Sequence, residues 1–468
     1  MTGGIEITPE ARRYALEELC RRAGLDVDSK RIWSIESGED GQTLALRAGD
    51  PYFGRIEFPT HPGEPRPELA VHKAWPIGAP AELTSVEPDF VVPFARQDSR
   101  TAEPLFAEIS RGYFRCTEDL LASAVLVLSR YEELDSPRRD AHGRFEAAAS
   151  MALRDGYLER PIVDEYGLAL QVAMQSILPG WKPRPRRLRV KLSHDIDEIG
   201  IPFSARDVAV QLFARRSIAT GLRDLVSGIS PVTPGSLLQV MQICSLAEEH
   251  GLHSALYWKA SGPSPYDSGY NLADPRVAKV IAWGREHNIE MGVHPGYDTF
   301  LAPEKLRGEA DRCRQAVQCQ RIGGRQHYLR WCPETWAHWE QCGLAYDSSL
   351  GYADRVGFRA GTCMPYLPWL WKENRRGDLL EVPLILMDRT ITSASYMGLT
   401  PEQSFATLKR LMSRCEAVGG VFTLLWHNNC LGRPFSAYYP RIFSELAGLE
   451  NYDWQADLDA MRTVGGTG

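Results

Sequence analysis

The sequence predicts an α/β fold, and two observations lead to this prediction: a regular alternation of elements after residue 188 and a change of pattern just before it. In the second part, apolar strand-like runs alternate with helical stretches, which indicates a parallel sheet covered by helices. The strand-like runs span 188–195, 253–260, 289–295, 326–331, 344–350, 379–387 and 420–427. The helical stretches span 235–250, 275–288, 302–319, 333–342 and 401–417. Either a closed barrel or a doubly wound sheet fits this order, and both place function at the carboxyl ends of the strands.

The change of pattern lies at residues 179–188, where three prolines and a basic run are typical of an extended linker. Residues 1–178 mix helical and extended signals and predict a smaller accessory α+β domain, whereas residues 189–468 carry the alternation. Within the first part we expect strands at 54–58 and 91–95 and helices at 1–20 and 117–132. The charged run over 128–145 is interpreted as a solvated turn between helices.

Composition limits the class of function. The 468 residues are 44% hydrophobic and 24% charged, a balance typical of a globular protein with a sizeable core. A net charge of −7 argues against broad nucleic-acid binding, and no apolar run approaches the roughly 20 residues of a membrane span. Ten scattered cysteines without a Cys-x-x-Cys pair, and a start without an apolar signal segment, predict a reduced, cytoplasmic protein.

Polar side chains follow three of the predicted strands. Asp195 and Asp197 end the first, where extended backbone points them the same way and a cation would relieve their repulsion. His294 ends the third, with Asp298 four residues later, a spacing at which one helical turn lets two side chains share a metal. His427 ends the last and suits a general acid or base. Each segment alone is also typical of solvated acids or structural histidines, but their joint occurrence favours a site.

In this order the segments HDID, HPGYD and LLWH resemble the motifs of the polysaccharide deacetylases, the NodB-homology group of carbohydrate esterase family four. The resemblance covers about residues 188–450. It implies a distorted seven-stranded (β/α) barrel, preceded here by the accessory domain. It also implies removal of acetyl groups from N-acetyl or O-acetyl sugars with a divalent metal, Zn²⁺ first and Co²⁺, Ni²⁺ or Mn²⁺ as alternatives.

The resemblance assigns a role to each motif residue. It implies Asp195 as the catalytic base, Asp197 as a metal ligand and His427 as the general acid. His294 matches the first histidine of the family's His-x-x-x-His metal motif, and Asp298 stands where the second histidine would be. An oxygen ligand at that place would favour harder ions, although Zn²⁺ also accepts carboxylates.

Two further family motifs leave alternatives open. The third supplies an arginine that pairs with the base, and here it is Arg330 in LRWCPETW, with Arg359 in GFRAGT as its rival. The fourth supplies an aspartate that orients the catalytic histidine, and by motif order it is Asp347, with Asp388 as the competitor.

Aromatic side chains fit a sugar substrate, because flat rings stack on pyranose faces. We expect Tyr297 and Trp331 to line the pocket, since each neighbours a motif residue, and Arg359 is a further substrate-binding candidate. The predicted function is therefore metal-dependent N-deacetylation of an acetylated sugar or glycoconjugate precursor, with release of acetate. The alternatives are the same hydrolytic chemistry on a non-sugar amide or imide, and a catalytically inactive carbohydrate-binding barrel.

Overall fold

A computed structural model of the chain describes residues 7–25, 33–38, 41–47, 53–60, 70–72, 90–94, 103–178, 180–199, 237–267, 270–430 and 439–465. Within these ranges helices cover a mainly parallel sheet in the second part of the chain, which confirms the predicted α/β class. Every helix in these ranges is too short or too polar to cross a bilayer.

In the described residues of the N-terminal part, five α-helices accompany a mixed sheet and a separate pair of strands. Its strands are β1 (Trp33–Gly38), β2 (Gly41–Arg47), β3 (Phe53–Pro59), β4 (Ala70–His72), β5 (Phe90–Val92), β6 (Phe106–Ser110) and β7 (Tyr113–Cys116). Its helices are α1 (Pro9–Arg22), α2 (Leu120–Leu128), α3 (Glu132–Asp135), α4 (Met151–Arg154) and α5 (Ile162–Ile177). The sheet order is β1-β2-β3-β7-β6, and β4 pairs with β5.

Local sequence explains where the two helices expected in this part begin. Thr8 caps α1 by accepting a hydrogen bond from the backbone of Ala11, and Pro9 at the first position has the right φ for a helix. Asp119 caps α2 in the same way, so this helix begins at Leu120 rather than at residue 117. The strands expected at 54–58 and 91–95 correspond to β3 and β5.

The described residues of the C-terminal part form ten strands. They are β8 (Arg189–Ile196), β9 (Ser254–Trp258), β10 (Glu290–Val293), β11 (Tyr346–Asp347), β12 (Trp369–Leu370), β13 (Arg375–Arg376), β14 (Leu380–Glu381), β15 (Leu386–Met387), β16 (Val421–Leu425) and β17 (Glu450–Asn451). All of them form parallel pairs except the antiparallel pair β12 and β13. The helices are α6 (Leu237–Glu249), α7 (Pro275–Glu286), α8 (Pro303–Val317), α9 (Glu334–Gln341), α10 (Asp388–Thr392), α11 (Pro401–Val418), α12 (Tyr439–Leu446) and α13 (Trp454–Gly465).

The main sheet has the order β10-β9-β8-β16-β15, with β17 beside β8, and all of these pairs are parallel. Strands β9 and β16 are buried along their whole length, as expected for parallel strands covered on both faces. A second parallel pair, β11 and β14, is linked to β10 by single bridges through Gly324. The described sheets are not closed, so the seven-stranded barrel stays a prediction.

The strand expected over 326–331 is not present. In its place the chain forms a 3₁₀ turn at His327–Leu329, because Tyr328 and Leu329 adopt the left-handed conformation, with φ of 63° and 52°. The turn ends the ladder at Gly324 and directs His327 away from the path of a strand.

The two parts of the chain share one hydrophobic cluster, which contains Leu16 and Leu126 from the first part and Phe358 and Trp369 from the second. The division at 179–188 therefore stays a prediction, although residues 181–188 form neither helix nor strand.

The interpretation of 128–145 as a solvated turn is wrong for its first half. Arg130 and Glu133 are buried because they pair with each other, and Glu133 also binds the guanidinium of Arg359 in the C-terminal part.

Candidate metal centre

The carboxyl ends of three parallel strands meet at one cavity. Asp195 lies at the end of β8 with Asp197 just beyond it, His294 follows β10, and His427 follows β16. All four side chains line a cavity of about 670 Å³, together with His327. The structure thus brings together four of the residues that the strand ends predicted.

Three side chains form a group that could hold a metal ion: Asp197, His294 and His327. The Asp197 Oδ1 atom lies 3.2 Å from Nε2 of His294 and 3.5 Å from Nε2 of His327. Two ligand atoms about 2.1 Å from a tetrahedral ion lie about 3.4 Å apart, so these separations suit one shared ion. Nitrogen and oxygen donors of this kind are those that Zn²⁺ and Co²⁺ accept.

The two imidazoles are oriented by hydrogen bonds on their far side. Nδ1 of His294 lies 2.6 Å from the Arg325 carbonyl oxygen, and Nδ1 of His327 lies 2.7 Å from an Asp267 carboxylate oxygen. Both partners are acceptors, so Nδ1 donates in each ring and Nε2 carries the lone pair. At His327 the Lys259 ammonium lies 3.2 Å from this Nε2 as well as 3.0 Å from Nδ1, so a metal ion would take the place of an ammonium hydrogen bond there. The buried Nε2 of His294 has no hydrogen-bond partner among the described residues, as a ligand atom awaiting an ion would be.

The protonation states also suit metal binding. Burial, assisted by the Lys259 ammonium 3.0 Å from Nδ1, lowers the pKa of His327 to about 4, so the ring is neutral near pH 7. Burial alone would raise the pKa of Asp197, but His327, His294 and Lys259 outweigh it and hold that pKa well below its usual range. A neutral imidazole and an ionised carboxylate are the forms that bind metals.

Asp195 is held beside this group by an arginine. The Nη1 atom of Arg325 donates to Asp195 Oδ1 at 2.9 Å, and the same nitrogen lies 3.0 Å from the Ser193 hydroxyl. Both charged side chains are buried. The other carboxylate oxygen, Oδ2, lies 3.8 Å from Nε2 of His294 and faces the metal group.

His427 is held on the opposite side by Asp388. Its Nδ1 lies 2.6 Å from Asp388 Oδ1, and its backbone N–H donates to Oδ2 of the same carboxylate at 3.0 Å. Burial favours the neutral ring, but the Asp388 charge outweighs it and raises the pKa of His427. Nε2 faces the metal group, 3.6 Å from Asp197 Oδ2.

Asp298 does not join the metal group. The four-residue spacing assumed one helical turn from His294 onward, but the backbone stays extended at Gly296 and turns only at Tyr297–Thr299. Asp298 is consequently exposed, and His327 takes the third place in the group.

Arg330 is likewise not the partner of Asp195. Its guanidinium donates to the backbone oxygens of His142 and Tyr297, whereas Arg325 makes the pair with the aspartate. The prediction placed Arg330 at the end of a strand that is a turn in the structure, and Arg325 precedes that turn.

Asp347 and Arg359 also lie apart from the predicted chemistry. Asp347 accepts hydrogen bonds from Ser349 and does not contact His427, so the geometry favours the competitor Asp388. Arg359 is buried against Glu133, and this pairing takes it away from both Asp195 and the cavity.

The aromatic residues expected in the pocket are set back from it. Trp331 is fully buried against Trp336 in an edge-to-face contact. Tyr297 stacks on Tyr266 with ring centroids 4.0 Å apart, and it is Tyr266 together with Tyr328 that lines the cavity.

Sequence reasoning missed Arg325, His327, Asp267 and Lys259. The segment IGGRQH carried a signal for the first two, because a short run of small and apolar residues ends there in an arginine and a histidine. Lys259 follows β9 directly and could have been found by the same rule that found His294. Asp267 lies nine residues after the end of β9 and carried no such signal.

Part of the chain matches a known protein family, and a larger part is similar to solved structures. Residues 78–179 match one family model, described as "Family of unknown function (DUF7033)", and no curated protein matches the chain. Among solved structures the chain is similar to a "putative polysaccharide deacetylase" from Mycobacterium smegmatis (16% identity, TM-score 0.43, covering 60% of this chain and 93% of that one). It is also similar to "Puue Allantoinase" (16%, 0.41, 62% and 94%) and to a "probable Polysaccharide deacetylase" from Pseudomonas aeruginosa PAO1 (16%, 0.39, 62% and 94%). At these scores the similarities identify no function for this chain.

Proposed function

We propose that the protein is a metal-dependent hydrolase that removes an N-acetyl group from an acetylated sugar or glycoconjugate precursor and releases acetate. One observation carries the proposal: a candidate metal group, a carboxylate paired with an arginine and a histidine paired with an aspartate all face one cavity. These are the parts that amide hydrolysis by water needs, namely an electrophilic activator, a base and an acid.

Asp197, His294 and His327 would hold the divalent ion, for which Zn²⁺ is our first choice. When bound, such an ion polarises an amide carbonyl and lowers the pKa of a water molecule, which together reduce the barrier by several kcal/mol. The carboxylate of Asp197 supplies the negative charge of the ligand set, and the hydrogen bonds at both Nδ1 atoms fix the imidazole rings.

Asp195 acts as the base in this proposal. Its Oδ2 atom accepts a proton from the attacking water while the new C–O bond forms at the acetamide carbon. Arg325 holds Oδ1 through a charge-assisted hydrogen bond. The guanidinium also prevents rotation of the carboxylate, so that Oδ2 keeps facing the cavity.

His427 acts as the acid. In its protonated form it donates the Nε2 proton to the amine nitrogen as the C–N bond breaks, so the amine leaves neutral. Asp388 stabilises the imidazolium and fixes the ring through Nδ1. Asp195 has meanwhile gained the proton from water, so after product release Asp195 gives a proton to solvent and His427 takes one up, which restores both groups for the next turnover. No covalent enzyme intermediate is required.

The side chains of the cavity wall favour a sugar as the part of the substrate that bears the acetyl group. Tyr266, Tyr328 and Tyr396 line it, and each phenol presents a flat apolar face and a polar tip. Such a wall can pack against a pyranose ring and hydrogen-bond its hydroxyl groups, whereas a simple aliphatic amide would leave the rings uncovered.

The test is release of acetate from a panel of N-acetylated sugars and simple amides by protein loaded with Zn²⁺ or Co²⁺. We expect turnover of at least one sugar, loss of at least about 100-fold in kcat for Asp195→Asn, and loss of bound metal for Asp197→Ala. Asp298→Asn is the matched control, since this carboxylate is close in sequence but exposed, and it should keep metal and activity.

Two results would overturn the proposal. Well-folded protein that neither binds nor responds to a divalent metal would exclude the metal-dependent chemistry. Acetate released from simple amides but from no sugar would exclude the substrate class while leaving the hydrolytic machinery in place.

A further inference from the structure

A tight turn from the N-terminal part, residues 140–144, lies at the cavity. Asp140 closes it by accepting hydrogen bonds from the backbone N–H groups of His142 and Arg144 at 2.8 and 2.9 Å. The turn is part of the segment that matches the family of unknown function, and the proposed chemistry does not use it.

Arg144 joins this turn to the loops around the candidate metal group. Its Nε atom donates to Asp140 at 2.7 Å, Nη1 donates to the Tyr328 carbonyl oxygen at 2.9 Å, and Nη2 lies 3.3 Å from the Tyr396 hydroxyl. The side chain is largely buried and lines the same cavity as His327. One guanidinium therefore links a turn of the first part to two walls of the cavity.

A second set of contacts joins the turn to the C-terminal part, and here the donor, Arg330, belongs to the C-terminal part. Arg330 donates from Nε to the His142 carbonyl oxygen at 2.8 Å and from Nη1 to the Tyr297 carbonyl oxygen at 2.6 Å. The His142 ring lies 3.2 Å from the Tyr297 hydroxyl through Nδ1, and its centroid lies 4.7 Å from that of Tyr328. The turn is thus held from both sides.

The carbonyl group that Arg144 binds belongs to a residue in an unfavourable conformation. Tyr328 and Leu329 both have positive φ, which side chains of this size adopt only when the surroundings impose it. They follow His327 directly, so the same backbone sets the direction of its imidazole. The hydrogen bond from Arg144 helps to stabilise this backbone conformation, and its removal would favour a return to an ordinary one.

We infer that the turn 140–144 is a positioning element of the candidate metal centre, and that Arg144 fixes the backbone from which His327 reaches the metal. The inference rests on the proposed function. It gives the N-terminal segment of unknown function a role, namely to complete the active site of the C-terminal part rather than to act as a separate module.

The test compares Arg144→Ala, Arg144→Lys and the matched control Arg160→Ala in the full-length protein. Arg160 is also buried and also pairs with a carboxylate of the N-terminal part, Glu165, but it does not line the cavity. The readouts are Co²⁺ affinity, measured by competition with a chelator, the visible absorption spectrum of the Co²⁺ form, and the thermal unfolding midpoint.

We expect Arg144→Ala to weaken Co²⁺ binding about 10-fold and to alter the spectrum, as a changed ligand orientation does. Arg144→Lys should recover part of the loss, because an ammonium can bind the Tyr328 oxygen but cannot serve all three acceptors. Should the alanine variant fail to fold, the lysine variant still has to show weaker binding than wild type. Arg160→Ala should lower the unfolding midpoint without moving either metal readout.

Wild-type Co²⁺ affinity and spectrum in both Arg144 variants would overturn the inference, and the proposed function would stand if the wild type still hydrolyses its substrate. A loss of affinity in Arg160→Ala equal to that in Arg144→Ala would also overturn it, since general destabilisation would then explain both. Absence of metal from the wild type would overturn the inference and the proposed function together.

Discussion

At the scale of single residues, two buried aspartates, Asp388 and Asp347, differ in how well their surroundings stabilise a negative charge. Asp388 carries a charge that two N–H groups of His427 stabilise. Asp347 is equally buried but has no cationic partner in contact among the described residues, and burial, only partly offset by Ser349, raises its pKa to about 6. A buried aspartate can orient a histidine and keep it protonated only where hydrogen bonds stabilise the aspartate's charge, so Asp388 suits the role and Asp347 does not.

Replacement of His427 provides a test at this scale. We expect His427→Ala to lower kcat for the N-acetyl substrate by about 100-fold or more, because the leaving amine then departs without a proton. Hydrolysis of p-nitrophenyl acetate should fall by less than about 10-fold, since nitrophenolate leaves without protonation. The measurement is the fold-decrease in rate from wild type to His427→Ala on the amide, divided by the fold-decrease on the ester.

His287→Ala serves as the control, because this histidine is exposed at the end of α7 and should leave both rates unchanged. Equal losses on the amide and on the ester would contradict the role of His427 as the acid, because a distorted site would slow both reactions alike.

At the scale of elements, what could be predicted from the sequence was where strands end. Asp195, His294 and His427 were found because each follows a buried apolar run, and side chains at this end of a parallel sheet converge. The helices α6 to α9 and α11 were expected within two residues of their bounds, since apolar periodicity and proline or aspartate caps mark them.

The elements that could not be predicted depend on contacts distant in sequence. The segment over 326–331 alternates in polarity like a strand, yet its backbone turns at Tyr328, whose carbonyl oxygen binds Arg144 from a position 184 residues earlier. His327 and its place in the metal group follow from that turn. The error at Asp298 has the same origin, because a local spacing was interpreted without knowledge of the backbone path.

Gly324 offers a test at this scale. It bridges β10 and β11, and a Cβ atom at this position would lie 1.8 Å from the Val293 carbonyl oxygen. Backbone atoms cannot yield as a flexible side chain can, so Gly324→Ala should lower the free energy of unfolding by about 1–3 kcal/mol. Chemical denaturation measures the change.

The control is Gly262→Ala, where no atom would lie within 4 Å of the added methyl carbon and φ is not positive, so the change should stay within about 0.5 kcal/mol. Similar destabilisation by both variants would show that the bridge at Gly324 is not the cause.

At the scale of the whole molecule, buried ion pairs connect the two parts of the chain. Glu133 accepts hydrogen bonds from Nε and Nη2 of Arg359 at 3.0 and 2.6 Å and from Nε of Arg130 at 2.8 Å. All three side chains are buried, and Arg130 also binds the Arg359 carbonyl group. Among the described residues Arg359 pairs with Glu133 alone, whereas Arg130 also pairs with Glu132 at 2.6 Å.

Glu133→Gln is expected to lower the free energy of unfolding by about 3–5 kcal/mol at pH 7, because it leaves the buried guanidinium of Arg359 without its counter-charge and that of Arg130 with Glu132 alone. Asp274→Asn is the control: its pair with Arg276 is exposed and should contribute less than about 1 kcal/mol.

The stabilisation that Glu133 provides should also depend on pH. Burial raises the pKa of this carboxyl, but Arg359 and Arg130 outweigh it and lower the pKa below its ordinary value. A lowered pKa gives stability that is present above the ordinary glutamate pKa of about 4.3 and is lost as the pH falls through the folded-state value. Denaturation at pH 7 and at about pH 3 should therefore show the gap between wild type and Glu133→Gln narrowing in acid, and a gap that stays constant would mean that the charge of Glu133 does not hold the two parts together.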